Sequence, residues 1–183
     1  MRKAMYQACA DVLALATRIP TAVELPAPAT LHQKIAALFE AMMERGEALR
    51  IPDDDIAEAR YALAAFLDEQ LLRSRWSGRD TWVSQPLQLV YFNENTAGEG
   101  FFVRMEALAR SPARSHVLYI YYLCVALGFR GRYAVGGVEG LQEILATTRA
   151  RLLAETPLGA TLSPRGAAPD RGPLREGPPR RAV

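Results

Sequence analysis

Acidic side chains hold most of the chemical potential of this 183-residue chain, and they gather at Asp68-Glu69 and in the run Asn93-Glu94-Asn95-Thr96-Ala97-Gly98-Glu99. Carboxylates brought together can divide acid and base work if burial raises the pKa of one of them. Asp68 fits the buried half of such a pair. At about 3.6 residues per turn it points along an apolar stripe with Tyr61, Ala65 and Leu72, while Glu69 points to a flank. A hydrolytic or small-molecule-binding domain would use Asp68 as a desolvated general acid, with Glu94 and Glu99 in the same pocket. A binding module would present Asp68 and Glu69 to a partner. A structural carboxylate would accept backbone N–H groups, or an indole N–H from the segment holding Trp76 and Trp82.

Other catalytic arrangements are missing. No Glu-x-x-His occurs, and neither His32 nor His116 has a second histidine at helical spacing, so no metal site is expected. Cys124 and His116 lie two helical turns apart, roughly 12 Å along the axis, too far for a nucleophile–base pair. Gly-x-Ser-x-Gly and P-loop patterns do not occur. The chain is read as a non-enzyme with no cofactor and no small-molecule substrate. Gly131-Arg132-Tyr133, after Gly128-Phe129-Arg130, reads as a tight exit from a buried helix with Gly128 as its C-cap. Arg132 is expected to pair with Asp68 or Glu99.

Helices have to position these groups, because no segment alternates as a strand does, and about seven are expected. The first covers 3–18 and ends before Pro20. TAVELPAPA (21–29) is a linker, since Pro26 and Pro28 fix φ and remove donors. Thr30 suits the N-cap of a second helix to Arg50, with Leu31, Ile35, Leu38 and Met42 on one face. Pro52 and the carboxylates of Asp53, Asp54 and Asp55 open a third, reaching Arg73. Ile56, Ala59, Leu63, Phe66 and Leu67 line one of its sides and Tyr61, Ala65 and Leu72 the opposite one, which places it centrally. A looser region with Trp76, Gly78 and Trp82 follows, then a short helix over 87–92. A helix over 98–110 has Asn95 or Thr96 as N-cap and Glu99 in its first turn. The next, over 114–128, is expected to be the most buried, and the last covers 138–155.

Half of the residues are hydrophobic, enough to bury one sizeable core as a single domain over 1–155. From 156 onward prolines, glycines and arginines cannot pack, so 156–183 is read as a disordered basic tail. The formal charge of +2 is uneven: five arginines against Asp170 and Glu176 put +3 on 157–183 and leave the rest near −1. No nucleic-acid-binding face is therefore expected on the body. For the tail, contact with anionic lipid and a solvated terminus both stay open. Cys9 and Cys124 sit among apolar residues and read as buried reduced thiols. The N-terminal stretch, interrupted by Asp11 and Arg18, reads as an amphipathic helix and not as a signal peptide. The longest apolar run, Val117–Phe129, falls short of the about 20 residues of a membrane span, so the chain as given is expected to be soluble.

Three blocks carry a family resemblance: YALAAFLDEQLL (61–72), YFNENTAGEGFF (91–102) and YYLCVALGFRGRY (121–133). Together with Trp76 and Trp82 they resemble the DotU/TssL family, whose members supply the cytoplasmic domain of an inner-membrane subunit of type VI secretion systems. The family's Tyr-Ala-Leu-Cys-Ala-Phe-Ile-Asp-Glu run is met by Tyr61, Ala62, Leu63, Ala65, Phe66, Asp68 and Glu69, with Ala64 at the cysteine position. Trp76 matches a tryptophan, with Ser77 intervening before Gly78. Phe92, Glu94, Gly98, Glu99, Phe101 and Phe102 match the second block, where Asn93 replaces a histidine and Ala97 a glycine. In the third, Arg130 reverses the charge of a glutamate.

The resemblance implies an all-α, hook-like arrangement of two linked bundles at the cytoplasmic face of the bacterial inner membrane. It also implies a scaffold that joins a TssM-type (IcmF-like) subunit to baseplate subunits such as TssK and TssE, with a weak homodimer plausible. The type IVB version, IcmH/DotU, is the alternative. Asp68, Glu69, Asn93, Glu94, Glu99 and Arg130 are the expected contact residues; Trp76, Trp82, Gly128, Gly131, Arg132 and Tyr133 are the expected structural ones. Charge reversal at Glu69 is expected to weaken partner capture and leave the fold intact. Family members usually carry a spanning helix after this domain, where 156–183 stands here.

Overall fold

A computed structural model of the chain describes residues 1–94 and 97–154. The tail 156–183 and the N-cap candidates Asn95 and Thr96 lie outside the described residues. The regular structure of the described residues is helical throughout: α1 (Arg2–Arg18), α2 (Pro28–Ala48), α3 (Asp53–Arg73), α4 (Arg79–Ser84), α5 (Leu87–Phe92), α6 (Ala97–Ala109), α7 (Ser115–Ala126), α8 (Tyr133–Gly136) and α9 (Val138–Ala154). The fold is all-α. Among the described residues no helix is long and apolar enough to cross a membrane.

α3 lies between the others and packs against α1, α2, α4, α5, α6 and α7. Ala59, Ala62, Ala64 and Ala65 let neighbouring backbones close in, while Leu63, Phe66, Leu67 and Leu71 fill the space between them. Each fully buried leucine or phenylalanine of this kind contributes about 2 kcal/mol. α7 packs on α1 and α3 and buries Val117, Leu118, Ile120, Tyr121 and Cys124. Cys9 and Cys124 are both buried free thiols. Burial pushes Cys9 up to about 12 and Cys124 well above its ordinary value, so neither offers a thiolate near neutrality.

Several boundaries differ from the sequence expectation for local reasons. α2 begins at Pro28, whose preset φ and missing N–H suit a first turn, so Thr30 falls inside the helix. α7 stops at Ala126. Gly128 takes φ +116°, and the N–H groups of Gly128 and Phe129 donate to the carbonyls of Val125 and Cys124 at 3.1 and 2.9 Å. That closure turns Phe129 back into the core. α4 and the single turn α8 add to the expected helices; segments this short span too few turns for periodicity to show.

The end of α2 repeats this closure with a costlier residue. Ile51 N–H donates to the Gly46 carbonyl at 2.9 Å, which holds Arg50 at φ +56°. Arg50→Gly is expected to raise stability by about 0.5–1 kcal/mol, measured as the shift of the urea midpoint, because glycine adopts this conformation without a Cβ clash.

Candidate functional site

α3 delivers Asp68 and Glu69 to two separate tasks. Asp68 is 3% exposed, and its Oδ1 accepts the Trp82 indole N–H at 2.8 Å and the Leu87 N–H at 2.9 Å. Its Oδ2 accepts the Gln88 N–H at 2.9 Å. Leu87 and Gln88 open α5 directly after Pro86, so their N–H groups have no partner within the helix, and a carboxylate from α3 supplies the cap. Trp82 stacks on His32 with centroids 4.0 Å apart and meets Trp76 edge-on. Gly78 makes room for Trp76, since a Cβ there would lie 2.4 Å from its ring. Burial pushes the Asp68 carboxyl up to about 6, with its three N–H donors acting in the opposite direction.

Glu69 serves the exit from α7. It accepts the Arg130 N–H at 2.9 Å and the Gly131 N–H at 2.6 Å, and Arg73 donates to it at 3.2 Å. A lysine at this position would set an ammonium against two N–H groups and the Arg73 guanidinium. Charge reversal therefore disturbs the turn itself, and the expectation that it leaves the fold intact is corrected.

Glu94 is gripped from two sides. The Tyr61 hydroxyl donates to it at 2.7 Å and Arg104 at 3.0 Å. Arg104 lies over the Tyr61 ring, 3.9 Å from its centroid, and reaches Glu58 at 3.2 Å; Glu58 in turn accepts the Tyr121 hydroxyl at 2.6 Å. Desolvation, reinforced by Glu94, pushes Tyr61 up to about 12, so it remains a donor near neutrality. Gly100 permits the arrangement, because a Cβ there would fall 2.4 Å from the Tyr61 oxygen.

The first turn of α6 crosses the turn after α7 at backbone contact. A Cβ on Gly98 would lie 2.9 Å from the Arg132 nitrogen, and one on Gly131, whose φ is +47°, would lie 3.0 Å from the Gly98 oxygen. This crossing directs Arg132 along α6, over the Phe102 ring, to Glu106 and the Tyr133 hydroxyl, each at 3.1 Å. The expected pairing with Asp68 or Glu99 is thereby corrected: Asp68 is buried and already accepts three N–H groups, and the backbone aims Arg132 at Glu106.

These elements surround a cleft of about 610 Å³ lined by Asp68, Gln88, Glu94, Glu99 and Arg132, with Leu72 and Val83 among its apolar walls. The three carboxylates singled out from sequence therefore share one concavity. Glu69, Asn93 and Arg130 are not part of its lining. Asn93 closes α5 in the left-handed conformation at φ +53°, and the side of Arg130 is exposed. Gln88 is buried, and among the described residues its Oε1 and Nε2 have no hydrogen-bond partner. The network of Glu58, Tyr61, Glu94 and Arg104 escaped sequence reasoning, because it joins two residues of α3 to Glu94, just past α5, and to Arg104 on α6, which spacing along the chain does not relate. His116 bonds Asp55 at 2.7 Å, joining the start of α7 to the start of α3. Among the described residues no group of three His, Cys, Asp or Glu is placed to hold a metal ion.

Comparison with known proteins agrees with this architecture. The family described as type VI secretion system protein DotU matches residues 4–182. The chain belongs to the DotU family. No curated protein sequence matches it significantly. Among solved structures, this DotU-family chain is similar to the cytoplasmic domain of TssL from Acinetobacter baumannii, with TM-score 0.78 and 26% identity over 83% of this chain and 98% of that one. It also shares its fold with SciP/TssL from enteroaggregative Escherichia coli 042, with TM-score 0.70 and 22% identity over 93% of this chain and 98% of that one. The DotU-family chain is thus a type VI secretion system protein built on the TssL cytoplasmic fold.

Proposed function

We propose that this DotU-family chain is a non-enzymatic adaptor of the type VI secretion membrane complex. It stands at the cytoplasmic face of the inner membrane and links a TssM-type subunit to baseplate subunits such as TssK and TssE. The observation that carries this reading is the acidic cleft, in which a rigid frame holds Asp68, Glu94 and Glu99 around one opening. Asp68 and Glu94 hold its shape through their hydrogen bonds, and the exposed Glu99 is the carboxylate left to meet a basic partner group. The type VI system is favoured over the type IVB one by the description of the matching family.

A hydrolytic reading finds in the same cleft the convergence of carboxylates that it needs. Two of the three, however, already accept bonds from donors that fix them in place, which leaves neither free to move a proton to substrate.

Glu99→Lys is expected to weaken capture of a TssM-type or TssK-type subunit at least about tenfold while lowering folding stability by only about 1 kcal/mol, the cost of a cation in the first turn of α6. A pull-down across partner concentrations, paired with urea denaturation, measures both. Undiminished capture of every partner by the Glu99→Lys chain overturns the cleft as the contact surface.

A further inference from the structure

A second concavity, of about 440 Å³, opens where α1, α7 and α9 meet, and its lining includes Lys3, Tyr6, Tyr119, Tyr122, Arg149 and Leu153. Arg2 donates to the Leu152 carbonyl at 2.6 Å and holds the start of α1 against the end of α9. The charge at this end is one-sided: residues 1–6 and 149–155 contain Arg2, Lys3, Arg149 and Arg151 against Glu155 alone. No acidic side chain lines the concavity among the described residues. Exposed apolar groups accompany the cations, with Met1 63%, Tyr6 46% and Leu153 57% exposed. Tyr119 and Tyr122 lie nearly parallel, half-buried, with centroids 6.5 Å apart.

Each component suits a different depth of a membrane surface. Lysine and arginine reach phosphates from aliphatic stems, tyrosines settle at the headgroup level with one end wet, and exposed aliphatics lose water against acyl chains. An acidic protein or a free phosphate would account for the cations and leave Met1, Tyr6 and Leu153 without a role. The chain also leaves α9 at this end, into a sequence with a net charge of +3 over 157–183.

We propose that this end of the domain rests on an anionic phospholipid surface, with Lys3 and Arg149 at the phosphates and Tyr6 and Leu153 at the headgroup–acyl boundary. The acidic cleft takes no part in the contact, so the inference stands apart from the adaptor reading.

Co-sedimentation of the full chain with vesicles tests it, using phosphatidylcholine alone and phosphatidylcholine mixed with phosphatidylglycerol. The expected result is binding to the mixed vesicles, weakened by high salt and unaffected by inorganic phosphate. At about five-fold in partitioning per basic residue, Lys3→Gln with Arg149→Gln lowers binding about 25-fold, and each single change about five-fold. The single variants decide the matter if the double one misfolds. The same ratios are expected in a chain whose arginines at 165, 171, 175, 180 and 181 are all glutamine, which separates this face from the tail. Tyr6→Ser is expected to lower binding as well. Wild-type failure to bind mixed vesicles, or double-variant binding equal to wild type, overturns the proposal. So does capture of soluble polyglutamate without vesicle binding, which would assign the face to an acidic protein.

Discussion

Asp68→Ala is expected to lower folding stability by about 4 kcal/mol, because it strands three buried N–H groups at about 1–3 kcal/mol each and entering water recovers part of that loss. The stranded donors are the Trp82 indole and the first two N–H groups of α5, so the damage extends to the packing of α4 and α5 on α3. A loss of this size is a large fraction of the about 5–15 kcal/mol that a domain possesses. Urea denaturation followed by circular dichroism and tryptophan fluorescence measures it, and a loss below about 1 kcal/mol would contradict the capping role. Asp68→Asn is milder, at about 2 kcal/mol, since an amide oxygen can still accept the Trp82 and Leu87 bonds while its NH2 faces the Gln88 N–H.

The same pair of proteins reads the titration of Asp68. Its carboxyl titrates near 6 when folded and at its ordinary 3.8 when unfolded, so the folded state holds the proton more tightly. That contribution to stability is fully present below 3.8 and is lost as pH rises through about 6. The advantage of wild type over Asp68→Asn is therefore expected to shrink between those limits and to stay level above them. An advantage that grows over the same interval would place the folded carboxyl below its ordinary range.

Gly98→Ala is the second change with a large expected effect, at about 3 kcal/mol. The added methyl would lie 2.9 Å from the Arg132 nitrogen and 3.1 Å from the Gly131 carbonyl carbon, and neither backbone atom can swing aside as a side chain does. Separating the segments also gives up the Arg132 N–H bond to the Gly98 oxygen, 3.3 Å in the native chain. At about 2–4 °C per kcal/mol for a domain of this size, the melting midpoint should fall by about 10 °C. Because the crossing forms one wall of the acidic cleft, partner capture should fall beyond what the stability loss explains. A midpoint within about 2 °C of wild type would show that the crossing has slack.

Local signals went far in this chain. The two apolar stripes on one helix placed α3 at the centre, since a helix apolar on opposite sides has to be covered on both. Asp68 on one of those stripes offered backbone N–H groups or an indole N–H as partners under its structural reading, and Trp82 is among those it found. Phe129 after Gly128 marked the exit from α7, because glycine alone takes φ +116° without strain. What stayed hidden was the choice among distant partners. Glu69 looks like a flank residue, yet it accepts N–H groups from Arg130 and Gly131, 61 and 62 positions along the chain. Arg132 had acids within plausible reach and took Glu106, which depends on a glycine crossing that spacing cannot reveal.

The sequence by itself determined that this protein is all-α, which helix is central and which family it resembles, because periodicity, caps and motif order are written in neighbouring residues. Only the tertiary structure decided that Asp68 caps α5, that Glu69 holds a turn, and that Glu94 and Glu99 join Asp68 around one cleft. The physical reason lies in the range of the interactions. Helix formation answers to contacts three or four residues apart, whereas a buried carboxylate takes whichever donors the packed helices bring within about 3 Å.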